Sequence, residues 1–68
     1  MLDRDKLRAA WVSCGETQTE AAKRLGISPR AMSSKMQRGV FGSDEIETLI
    51  SAYHIEDPLS VFFANAVT

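Results

Sequence analysis

Cysteine is nearly absent from this 68-residue chain, and the single Cys14 excludes an internal disulfide framework and a cysteine-rich zinc site. Histidine also occurs once, as His54. A Cys–His catalytic pair would need both groups in contact with an orienting third, and their spacing offers none. Cys14 is expected as a buried helical thiol and His54 as a helix-end residue. Aromatic residues make up only 7% of the chain, and Trp11, Phe41, Tyr53, Phe62 and Phe63 fall mostly on core faces. They suit packing rather than a stacking platform for single strands. No apolar run approaches the ~20 residues of a membrane span, and Met1–Lys6 is too charged to open a signal peptide. A soluble, reducing, cytoplasmic setting is expected. Gly39-Val-Phe-Gly lacks the lysine and strand–helix context of a phosphate loop. No enzyme activity, metal, cofactor, small-molecule substrate or membrane partner is expected.

Basic residues are missing from the whole second part of the chain. Residues 43–68 contain five acids (Asp44, Glu45, Glu47, Glu56, Asp57) and no Lys or Arg, whereas residues 1–42 hold eight basic side chains against four acids. The net charge of −1 therefore conceals a basic and an acidic half. The division matters more than the total, because phosphate attraction acts within a Debye length of about 8–10 Å. The 44% hydrophobic and 25% charged content is that of a globular protein rather than a disordered one. At this length residues 1–68 make one domain, near the lower limit for folding on an unstapled core.

What is present is helical periodicity, in five segments. The first, near Arg4–Cys14, places Leu7, Ala10, Trp11 and Cys14 on one face, with Asp3 and Asp5 at its start and Gly15 able to end it. Thr17 and Glu20 form a Thr-x-x-Glu capping box for a second helix over about residues 17–25, which carries Ala21, Ala22 and Leu25 and stops at Gly26. Ile27 plugs the turn. Ser28 caps a third helix over about residues 28–37, with Pro29 in its first turn. After a loop in which Val40 and Phe41 fold inward, a fourth helix begins at Ser43 or Asp44 and aligns Ile46, Leu49, Ile50 and Tyr53. Asp57-Pro58 opens a short fifth carrying Leu59, Val61, Phe62, Phe63 and Val67.

The third segment separates its faces cleanly. Met32 and Met36 lie four residues apart for the core, and Arg30, Ser33, Ser34 and Gln37 lie on the other side. A helix enters the major groove only when its outer side is polar and not too bulky and its inner side packs on a scaffold. This pair of helices meets both conditions, and the two alanines allow close packing between them. Arg30 is the candidate direct reader, since a guanidinium can bind guanine O6 and N7 together. Ser33 and Ser34 either bond to DNA or keep the face small. Lys23, Lys35 and Arg38 are available for phosphates.

Thr17 to Arg38, followed by Phe41 and Ser43-Asp-Glu-Ile, resembles the helix-turn-helix of phage Cro/repressor-type proteins. Ile55-Glu-Asp-Pro-Leu-Ser-Val-Phe-Phe is similar to the end of small Cro-like regulators, so the likeness runs from about Leu7 to Phe63. The resemblance implies a compact, all-α, five-helix repressor-like domain with a central helix-turn-helix. By position it implies that Gln18 holds a backbone phosphate and orients the recognition helix. Pro29, Arg30 and Ser34, with Ser33 beside them, then face base edges, and Gln37 and Arg38 clamp the next phosphates. Thr17, Ser28 and Lys35 complete the expected backbone contacts. Pro29 stands where many relatives carry a polar reader, and it offers apolar contact only. Gly39 and Gly42 leave the following loop less basic than in many relatives.

The expected partner is double-stranded DNA, bound by a homodimer on a near-palindromic operator, and the implied role is that of a phage-type repressor in a bacterial cell. Phe62 and Phe63 are the expected dimer contacts; being adjacent, one packs inward while the other meets a second subunit, or both bury under the C-terminus. A rival reading is a helical protein-interaction module, such as an antirepressor that occupies a partner repressor.

Overall fold

Each helix starts where a side chain answers the unpaired backbone donors of its first turn. In the computed structural model, which describes residues 2–64, α1 spans Arg4–Ser13, α2 Gln18–Leu25, α3 Pro29–Arg38, α4 Ser43–Tyr53 and α5 Pro58–Phe62. Asp3 accepts the Lys6 N–H at 3.1 Å, and Ser28 accepts the Ala31 N–H at 3.1 Å. Thr17 and Glu20 form the full capping box, with Thr17 Oγ1 accepting from the Glu20 N–H at 3.3 Å and Glu20 Oε1 accepting from the Thr17 N–H at 3.1 Å. Before α4 only half of such a box exists, because Gly42 has no side chain: its N–H donates to Glu45 Oε1 at 2.8 Å. Pro29 and Pro58 occupy first turns, where no N–H is needed.

The ends are equally local in origin. Gly26 takes a left-handed φ of 71°, its N–H turns back on the Ala22 and Lys23 carbonyls, and Ile27 then donates to Ala22 O at 3.0 Å. His54 closes α4 in the same left-handed region at φ 53°, without glycine's freedom. It is an exposed helix-end residue.

One core collects all five helices. Leu7, Trp11, Ala21, Ala22, Met32 and Leu49 are almost completely buried, with Met36, Tyr53, Val61 and Phe62 close behind. α2 lies at the centre and packs on α1, α3 and α4. Leu2, ahead of the first helix, is also buried, and the neighbouring Asp3 N–H donates to Val61 O at 2.7 Å, closing the chain's start onto α5.

Three packing expectations need correction. Cys14 is exposed, because α1 ends at Ser13 and the next residue leaves the helical path before its side chain can turn inward. Val40 is 65% exposed while Phe41 is buried: the Val40 N–H is held by Lys35 O at the end of α3, and the next side chain is the one that reaches the core. Phe62 packs in the domain's own core, edge-on to Phe41 with ring centroids 6.4 Å apart, and Leu59 and Phe63 face outward. Val67 lies outside the described residues.

A polar cluster fastens the α1–α2 turn to α4. Arg24 Nε donates to Glu16 Oε1 at 2.8 Å, its Nη2 engages Glu16 Oε2, and the Tyr53 hydroxyl donates to Glu16 Oε1 at 2.9 Å. The Arg24 guanidinium lies 5.5 Å from the centre of the Tyr53 ring, whose other neighbour is Trp11. The Arg24 hydrogen bond, opposed by partial desolvation and aided by Tyr53, holds the Glu16 carboxyl down at about 2. Burial first, and then the Glu16 hydrogen bond, push the Tyr53 phenol up to about 12.

The cluster's stabilisation is complete above the ordinary carboxyl value of 4.5 and is lost as pH falls towards about 2, where the folded-state carboxylate itself takes up a proton. Glu16→Gln should therefore be less stable at neutral pH and should show a flatter loss of stability between pH 4.5 and 2. Urea denaturation across that window checks this; an acid slope equal to the parent's would contradict it.

Candidate nucleic-acid interface

The geometry of the interface begins with two alanines. Ala21 and Ala22 are fully buried, so at these two positions α2 contributes no more than a methyl group to its packing on its neighbours. Met32 at 0% and Met36 at 4% exposure fill the inner side of α3. At about 100° per residue, Ser33, Gln37, Arg30 and Ser34 then fall within an outward arc of about 100°. All four are exposed, with Pro29 at one edge of the arc and Arg38 at the other.

Among the described residues, a single side-chain bond joins the two helices on this outer side. Gln18 Nε2 donates to Ser33 Oγ at 3.0 Å. The bond leaves the Ser33 hydroxyl proton and the Gln18 carbonyl oxygen for a further partner. It also fixes the position of Gln18 against α3. Ser28 and Thr17 are exposed too, but their oxygens already serve as helix caps, and Thr17 Oγ1 also lies 3.3 Å from Glu20 Oε1.

Lys35 is the residue that the structure does not bring to the stripe. It lies about 140° around α3 from Arg30 and forms an ion pair with Glu45 at the start of α4, 3.2 Å away. That pair crosses from the basic to the acidic half of the chain. Arg24 is likewise committed to Glu16, and Arg8 approaches Asp5 at 3.8 Å. Among the described residues, no ion pair involves Lys6, Lys23, Arg30 or Arg38. Two of those four cations, Arg30 and Arg38, belong to α3.

The bonds of Arg4 have no counterpart in the sequence reading. The Arg4 Nε donates to Met36 O and its Nη2 to Gln37 O, both at 2.7 Å. No complementary side chain marks such a bond in a sequence, because both acceptors are backbone carbonyls. The Glu16–Arg24 pair was equally hidden, being eight residues apart across a turn.

Residues 2–39, which contain α1, α2 and α3, match the model of the helix-turn-helix family described as bacterial regulatory protein, Fis family. The match takes in more than half of the chain. The chain belongs to this family, and the paired helices α2 and α3 constitute a helix-turn-helix DNA-binding domain. No curated protein and no solved structure matches it. The matched family is one of bacterial regulators, and α4 and α5 lie beyond the matched segment. Among the described residues there is no cluster of His, Cys, Asp or Glu that could hold a metal, and no helix is long and apolar enough to cross a membrane.

The division between committed and uncommitted cations is testable by salt dependence. Arg38→Ala should reduce the slope of log binding constant against log salt by about 1, while Lys35→Ala should leave it unchanged. Equal changes in slope would show that Lys35 leaves Glu45 to meet a phosphate.

Proposed function

We propose that the domain is a Cro-like transcriptional repressor that reads a near-palindromic operator in the major groove as a homodimer. The observation that carries this reading is the outward stripe of Arg30, Ser33, Ser34 and Gln37, backed by buried Met32 and Met36 and tied to α2 through Gln18. Arg30 reads a guanine through its fork of donors, and Ser33 and Ser34 keep the face small enough for close approach while offering hydroxyls to base edges. Pro29 contributes apolar contact at the entry of the helix. Gln18, Gln37 and Arg38 flank the stripe and hold phosphates on either side of it, with the capping residues Thr17 and Ser28 beside them.

A lone module of this size has limited affinity, and two copies on one duplex overcome that limit when their half-sites lie one helical turn apart. Phe63 at 45% exposure, with Leu59 and Val40 still more exposed, supplies an apolar patch for the second copy. A groove of about 390 Å³ between the α3–α4 loop and α5 adjoins it, lined in part by Val40, Phe41, Ile46 and Phe63. Arg38 also lines that groove, so a subunit seated there would lie beside the end of the recognition helix. The same patch is what favours the second reading, a protein-interaction module that binds a partner repressor. Steep salt dependence of duplex binding separates the two, since a DNA binder releases counterions and an antirepressor does not.

After selection of a site from a randomised duplex pool, Arg30→Ala should cost about 1–3 kcal/mol and relax preference at one position of each half-site. Titrations against singly substituted duplexes measure this. An unchanged preference profile would remove Arg30 from the reading, and failure of the parent to enrich any duplex would favour the protein-binding alternative.

A further inference from the structure

Arg4 stands at the first position of α1, where a cation opposes the helix's own dipole, so α1 itself gives no reason for it to be there. Its side chain instead reaches the other end of a different helix. The last turn of α3 leaves carbonyls without helical partners. Gly39 and Val40 serve Lys35 O, at 2.8 and 3.3 Å, and the next two carbonyls, Met36 O and Gln37 O, each receive an Arg4 donor at 2.7 Å. A positive charge at this negative helix end is electrostatically favourable. The planar guanidinium spans two successive carbonyls, which a lysine ammonium on a flexible stem does less well.

The residues ahead of Arg4 hold it in place. Leu2 is buried against Gly39, where an added side-chain carbon would come within 3.4 Å of Leu2 Cβ. Asp3 N–H is bonded to Val61 O of α5 at 2.7 Å. Residues 2–4 thus form a strap from α5 to the end of the recognition helix. Arg4 also borders a shallow groove of about 260 Å³ that it shares with Gln18, Ser33, Met36 and Gln37, on the side of α3 that carries the polar stripe.

We propose that Arg4 is a positioning residue for DNA recognition: it clamps the last turn of α3 and thereby holds Gln37, Arg38 and the outward stripe at the angle the groove requires. The proposal rests on the DNA-binding reading, and it assigns to Arg4 no contact with DNA.

Arg4→Gln and Arg4→Lys test it in the full chain, on a duplex selected with the parent. Arg4→Gln should bind roughly tenfold more weakly, the loss expected for charge-assisted bonds to two carbonyls. The slope of binding against salt should not change, because no phosphate contact is lost. Amide exchange in the free protein should quicken most at Met36–Arg38, beyond a uniform change across the other helices, with the melting temperature lowered by about 5–10 °C, and Arg4→Lys should recover part of each effect. A slope lower by about 1 would make Arg4 a phosphate contact and overturn the proposal. So would exchange quickened no more at Met36–Arg38 than in the other helices, or an affinity equal to the parent's. If the parent itself selects no duplex, the DNA-binding reading fails and takes the proposal with it; a parent that binds, beside variants that bind equally well, removes the role of Arg4 alone.

Discussion

The burial of Ala21 and Ala22 in the packing of α2 on its neighbours is the constraint on which the rest of the structure depends. Both methyl groups are completely buried, and α2 is the element against which α1, α3 and α4 all pack. A larger side chain at either fully buried position would overpack the core, which typically costs about 1–3 kcal/mol. More than stability is involved. The angle between α2 and α3 decides whether Arg30 and Ser34 face outward together with Gln18, and a polar stripe aimed a few tens of degrees away would no longer meet a groove. Packing therefore sets the direction in which the stripe faces before any of its residues is chosen.

Electrostatics then divides the cations by task. Arg24 is used to hold the α1–α2 turn against Tyr53, Lys35 to join α3 to α4 through Glu45, and Arg4 to close the end of α3. Each of these fixes a helix relative to another. Arg30 and Arg38 are left on the exposed side of α3, where a phosphate or a base edge can reach them. The acidic second part of the chain fits this arrangement: its carboxylates cap α4 and α5, and Glu45 pairs with one lysine of α3. A fold with net charge −1 can in this way present a locally positive face.

Much of the fold was legible in the chain because its signals are local. Thr17 with Glu20, Ser28 with Pro29, Gly26 and Asp57 with Pro58 each act within one helical turn, and each marks the boundary it was read to mark. The faces of α3 and α4 followed from periodicity for the same reason. What sequence reasoning missed depends on distance or on backbone acceptors. Arg4 bonds to carbonyls 32 and 33 residues away, and Tyr53 meets Glu16 across 37 residues, so neither leaves a spacing to detect. Cys14 shows how helix periodicity fails at a boundary: one residue beyond the end of α1, the apolar face no longer exists. Phe62 and Phe63 could be told apart only by the three-dimensional path of α5, which turns the first onto Phe41 and leaves the second outside.

The central claim is that a rigid helix pair presents the outer side of α3, with the start of α2, to duplex DNA. Amide chemical-shift mapping of the isotopically labelled chain, titrated with a selected duplex, tests it residue by residue. The account predicts the largest shifts at Thr17–Thr19 and along Ser28–Arg38, with little change on the exposed side of α4 around Glu47 and Ser51. Shifts absent from Arg30–Arg38 on saturation with a duplex that binds would contradict it.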